Sequence, residues 1–192
     1  DITHVEGRID PVADAETILG NVRAHSPSAT AVLFQTYARA VGHSWYPSVF
    51  ANPMEMHTQV QVTNRNAVPT IEAMFGAGTV VNSAIGDCAA LLEFDPAYYY
   101  VDLQHPSSRL TILSGMCLFT SIYSQLACSI TPNIAPSSQL GAILLNYNLG
   151  LADWQQMAGI ADRCADHNTR VYPGSGDLLL LQTGTQPGFL SA

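Results

Sequence analysis

Twice within the first half of the chain a helical spacing of apolar residues gives way to a short β-branched run, and that alternation limits the folds open to it. Between Pro11 and His25, the residues Val12, Ala15, Ile18, Leu19 and Val22 recur at helical spacing, with Asp14 and Glu16 near the start, which predicts an amphipathic helix. Ser26-Pro27-Ser28 breaks it, and Ala29 to Thr36 is an apolar, β-branched run of the buried-strand type. Helical character returns from about Met54 to Phe75, where Pro69 is expected to limit or kink it. Gly76-Ala77-Gly78 supplies the stop, and Thr79 to Asn82 is the next strand candidate. A helix feeding a buried strand points to a parallel sheet covered by helices.

At 192 residues the chain can bury roughly 70% of its unfolded surface, enough for one core without a metal or disulfide scaffold. Its net charge is -8, and all seven basic residues are scattered arginines. Affinity for phosphate backbones comes from clustered Lys and Arg, so nucleic acid and anionic membrane surfaces are disfavoured as partners. Scarce charge, with Ser, Thr, Asn and Gln carrying the polarity, leans toward an extracellular or periplasmic, secreted setting. The Asp1 start suggests a removed leader or a chain beginning inside a longer polypeptide.

Further along, a short helix is expected at Asp87 to Glu93, followed by a turn at Asp95-Pro96 and the run Tyr98 to Val101. A longer helix is expected from about Ser108 to Leu126, with Leu110, Leu113, Cys117, Leu118, Ser121 and Ile122 on related faces. Its polar interruptions and length make it a buried helix rather than a membrane span. Ser129 to Pro136 reads as a loop and Ala152 to Asp166 as a further helix. These segments belong to one domain over residues 1–170, with residues 171–192 as a tail. The tail's Leu178 to Leu181 run could join a sheet edge or pair with another copy, giving a homo-oligomer.

The segment that carries chemistry is Asp102-Leu103-Gln104-His105-Pro106-Ser107. On a short turn, an acid three residues before a histidine can receive its Nδ1–H and fix the tautomer. Nε2 is then left to take a proton from a nucleophile. This block, opening a helix of small and apolar residues from Arg109 to Leu126, resembles the last motif of the SGNH (GDSL-type) hydrolases. Val32 to Arg39, Val80 to Cys88 and Asp95-Pro96 resemble other stretches of that family in the same order. The resemblance covers roughly residues 10 to 165, and only the Asp-x-x-His-Pro-Ser block is specific.

The resemblance implies a three-layer α/β/α sandwich with a mainly parallel, flavodoxin-like sheet, and ester hydrolysis by acyl transfer. Asp102 and His105 are the catalytic candidates, with His105 as general base and Asp102 orienting it. Small-molecule or glycan esters are the implied substrates, and no cofactor is implied. The chain departs from the family where it matters most. The Gly-Asp-Ser nucleophile block and the Gly and Asn oxyanion blocks are missing, and Leu110 stands near where the family opens its helix with Gly. The nucleophile is therefore expected outside this chain. Ser175 in a Gly-Ser-Gly turn and Cys88 after Gly86-Asp87 are weaker candidates.

Arg39, His43 and Trp45, in the loop after the first strand, are the substrate-binding candidates, against the plainer readings of an ion pair and of surface packing. His4, His25, His57 and His167 stand isolated in the sequence, which gives a metal site no support. The four cysteines Cys88, Cys117, Cys128 and Cys164 lack metal or redox spacing. They admit disulfides in three pairings, with Cys128–Cys164 fastening a Pro- and Ser-containing segment, or four buried thiols. The alternative function is a non-catalytic extracellular structural or self-assembling subunit on a degenerate hydrolase scaffold. A glycan-binding module using Trp45, Tyr46 and the Tyr98 to Tyr100 cluster is the third.

Overall fold

A computed structural model describes residues 11–169. Helix α1 (Pro11–His25) starts on a proline, whose missing N–H is no loss in a first turn, and leads into strand β1 (Ala31–Phe34). Helix α2 (Pro53–Phe75) is capped by Asn52, whose side chain accepts from the Glu55 amide at 3.0 Å, and stops at Gly76 with φ 103°. Pro69 does not end α2. Its ring lies on the exposed face, where the carbonyl it strands can turn to water, while Ala67 and Ile71 anchor the other face.

Strand β2 (Val80–Ser83) pairs with β1 in parallel, with Ala31 opposite Val80 and Phe34 opposite Ser83. Helix α3 (Ile85–Leu91) follows at once. A 3-10 turn at Pro96–Tyr98 and one antiparallel bridge, Tyr99 to Pro106, then lead into α4 (Ser108–Tyr123). Helix α5 (Gln139–Asn146), too short to show in the sequence pattern, is capped by Ser138 and precedes α6 (Leu151–Thr169). The chain is thus mixed α/β and mostly helical, and its sheet among the described residues is this one parallel pair. The expected parallel pairing is present; the broader sheet of a three-layer sandwich is not among the described residues.

The main core lies where α4 packs along α6, with Leu110, Leu113, Met116 and Cys117 facing Trp154, Met157, Ala158, Ala161 and Cys164. Burying one such side chain contributes roughly 1.5–3 kcal/mol, so this seam holds α4, and the loop feeding it, in place. A smaller cluster of Leu19, Ala67, Ile71 and Val80 fastens α1 and α2 to the sheet. No described helix is long and apolar enough to cross a membrane. The Leu178 to Leu181 run, Ser175, His4 and the tail as a whole lie outside the described residues.

Candidate active site

The loop after β1, residues 35–52, and the loop after α3, residues 92–107, carry Arg39, His43, Trp45, Asp102 and His105. Backbone contacts stitch the loops together: the Ala40 amide donates to the Leu103 carbonyl at 2.9 Å, and Val41 to Phe94 at 3.1 Å. The Tyr99 hydroxyl donates to the Ala38 carbonyl at 2.8 Å, and the Tyr37 and Tyr99 rings meet edge to face. Burial pushes the Tyr99 phenol above its ordinary range, so it stays a neutral donor in this bolt.

Asp102 and His105 sit at the tip of the second loop. One carboxylate oxygen of Asp102, Oδ1, accepts the amides of Gln104 and His105 at 3.0 Å each, which closes a tight turn. The other, Oδ2, lies 2.5 Å from His105 Nδ1. A carboxylate only accepts, so Nδ1 carries the proton and Nε2 is the free, basic nitrogen. The His105 hydrogen bond, followed by the two amides, holds the Asp102 carboxyl well below the usual carboxylate range. The His105 carbonyl accepts from the Tyr100 amide at 2.9 Å and the Ser107 amide donates to Tyr98 at 2.9 Å, so the turn is tied down on both sides. The pair is nonetheless open to solvent, with the two side chains 63% and 49% exposed. Tyr100 and Val101 beside it are also bare.

The first loop brings Arg39, His43 and Trp45 together. The Arg39 guanidinium lies 4.8 Å from the centroid of the Trp45 ring, and His43 meets that ring edge-on. His43 is buried rather than part of the surface, and its Nδ1 accepts the Trp45 amide at 3.2 Å, which requires the neutral imidazole. Burial first, and then the Arg39 charge, lower its pKa below the ordinary value, against an opposing pull from Asp102. Arg39 and Asp102 both act on Tyr37 and His43, so the two loops share one electrostatic neighbourhood.

Beneath the loops lies a buried polar cluster in which His57, isolated in the sequence, has a partner. His57 Nε2 stands 3.3 Å from Asp87 Oδ1, and the same oxygen accepts from Gln61 Nε2 at 2.7 Å and Gln35 Nε2 at 3.2 Å. Gln35 in turn accepts the Asp87 amide at 3.3 Å. Burial pushes the Asp87 carboxyl up, but His57 and Gln61 as donors, with the charges of His57 and Arg65, bring it below its ordinary value. The cluster ties α2 and α3 to the end of β1. Its one sequence signal was His57 and Gln61 four residues apart on a face otherwise made of Met56, Val60 and Ile71.

Cys88, the weaker nucleophile candidate, is fully buried, and burial raises its thiol far above the ordinary range, which removes the thiolate that attack requires. Cys128 is exposed, while Cys164 is buried against Cys88, so the structure does not join them. No group of three or more His, Cys, Asp and Glu among the described residues is arranged to hold a metal ion. Comparison with protein-family models, curated proteins and solved structures found no match to this chain.

Proposed function

We propose that the chain belongs to a serine esterase of the SGNH type acting on small or carbohydrate-linked esters. In this reading a serine outside the chain attacks the ester carbonyl. His105 Nε2 takes the hydroxyl proton and returns it to the leaving alcohol, and Asp102 fixes the tautomer and steadies the imidazolium. The single observation that carries the reading is the 2.5 Å contact between Asp102 Oδ2 and His105 Nδ1 on a turn held by two amide bonds to the Asp102 carboxylate and by backbone bonds on either side. Arg39, His43 and Trp45 would line the approach to the dyad, with Arg39 held over Trp45 to meet a substrate carbonyl or carboxyl.

Two further features fit a dyad completed by residues outside the described ones. A parallel pair is normally the inner part of a larger sheet, yet among the described residues β1 pairs only with β2, and Phe34 is exposed. The dyad itself is uncovered, whereas acyl transfer is favoured where water is excluded. Strands placed beside this pair would complete the three-layer sandwich and cover the dyad together. A protein secreted to an extracellular or periplasmic space, with an ester as its small-molecule or glycan partner, is consistent with the composition.

The test uses the native polypeptide and a serine-directed fluorophosphonate probe alongside short-chain ester hydrolysis. Labelling of a serine, with His105→Ala lowering kcat by roughly 10³-fold or more at unchanged fold, supports the reading. A native protein that is folded, unlabelled and inert sinks it, and leaves the non-catalytic assembly subunit. That second reading is favoured by the bare Tyr100, Val101 and Phe34, and predicts large species in light scattering.

A further inference from the structure

Three of the four cysteines, drawn from three different helices, converge at one point in the core. Cys88 of α3, Cys117 of α4 and Cys164 of α6 are each at most 1% exposed. The Sγ atoms of Cys88 and Cys117 are 2.6 Å apart, inside the ~3.5–4.0 Å at which unbonded heavy atoms rest and outside the ~2.05 Å of an S–S bond, so in this structure both are free thiols. Cys164 lies close enough to both for the three thiols to act on one another electrostatically. Neither apolar packing nor a metal explains so close an approach: packed thiols keep van der Waals distance, and the described residues include no metal-ligating group of three.

We propose that Cys88 and Cys117 are joined by a disulfide in the mature protein, with Cys164 retained beside them as a thiol. The proposal does not depend on the esterase reading. It is nonetheless tied to that site by topology, because the two cysteines are 29 residues apart and the closed ring contains the loop of Asp102 and His105. Such a link lowers the entropy of the unfolded chain and fixes both ends of that loop, at α3 and at α4.

The bond is made by exchange with a disulfide reagent, either a small-molecule disulfide or a dithiol oxidoreductase in its oxidised form. The Cys88 thiolate attacks the reagent and displaces one of its sulfurs; the Cys117 thiolate then attacks the Cys88 sulfur and releases the other. Two electrons pass to the reagent, which leaves as two thiols carrying the two cysteine protons. Burial raises the Cys88 and Cys164 thiols in the finished fold, so exchange takes place before the core closes. Once closed, the core shields the bond.

The protein is folded with a small-molecule disulfide, unfolded in excess N-ethylmaleimide without reductant, digested and mapped by tandem mass spectrometry. The expected result is one peptide pair joined through Cys88 and Cys117, alkylation at Cys128 and Cys164, and an intact mass two hydrogens below that of the reduced chain. Four alkylated cysteines, or a link through any other pair, overturn the proposal. Cys164→Ala should keep the link, and its loss there would overturn the pairing. Cys117→Ser should remove it and lower Tm by roughly 10 °C; should this variant not accumulate, the map of the unaltered protein decides alone. A link that a thiol reductant removes as fast from the folded as from the unfolded protein would overturn its placement in the core.

Discussion

Two aspartate–histidine pairs among the described residues lie in opposite surroundings. Asp102 and His105 are three residues apart on a solvent-exposed turn, and the aspartate is held by the amides of its own loop. Asp87 and His57 come from separate helices 30 residues apart, and both are buried beneath the sheet's carboxyl edge with Gln35 and Gln61. The same two functional groups therefore do different work. The exposed imidazole keeps a nitrogen open to solvent, as the proposed proton transfer needs. The buried one is a bolt, because a charged carboxylate with two amide donors and a close imidazole on one oxygen is stable only while all of them stay in place.

The sharpest way to break that contrast is to remove the buried carboxylate. Asp87→Ala strands the amide donors of Gln61 and Gln35 and leaves the buried His57 without its counter-charge, and should cost about 3–5 kcal/mol, read as ΔG in a urea melt. A loss below about 1 kcal/mol would mean that the cluster is wetter and looser than its burial indicates. Next in size is Gly86→Ala. A Cβ at this position would meet the Thr36 carbonyl oxygen at 2.7 Å, backbone that cannot step aside, so a loss of about 1–3 kcal/mol is expected. An unchanged melt would show that the junction of β1 with α3 has slack.

At the exposed pair the expectation reverses. His105→Ala should leave Tm within roughly 2 °C of the parent, because an exposed pair contributes little to folding, while removing any proton-transfer activity. A large thermal loss would show that the dyad is structural and would remove its distinction from the buried pair.

The smallest effect concerns acid. The pKa values of Asp87 and Asp102 are held below the ordinary carboxylate value, so their contribution is present above pH ~3.8 and is lost as pH falls below it. His43, also depressed, binds its proton first in the unfolded chain, so stability begins to fall below pH ~6.5. His43→Asn keeps an acceptor for the Trp45 amide without titrating and should flatten only that upper part of the profile. A profile unchanged between pH 6.5 and 5 would remove His43 as its source.

What could be read in advance follows the range of the interactions. The exposed pair was legible because three residues on one turn bring the groups together wherever that turn lies. The buried pair was not, since nothing local tells His57 that Asp87 will be its neighbour, and a buried histidine reads as isolated until the helices are packed. Helix α5 was overlooked for a related reason: at eight residues it shows barely two turns of periodicity, and only the Ser138 cap marks its start. The continuation of α2 through Pro69 was decided by which face the ring fell on, and that is set by the core opposite it.

The sequence by itself determined the alternation of helices and strands, the parallel pairing of the described strands, and the local geometry of Asp102 and His105, because periodicity and turn chemistry act over a few residues; it did not foresee that the first strand is only half-buried, with Phe34 exposed. Only the tertiary structure decided that the loop of Arg39, His43 and Trp45 is bonded to the loop of Asp102 and His105, that His57 and Asp87 meet in the core, and that Cys88, Cys117 and Cys164 converge. Those encounters join residues far apart in the chain. They exist because the apolar seam of α4 and α6, with the smaller cluster under α1 and α2, fixes the distances between elements that local preferences leave open.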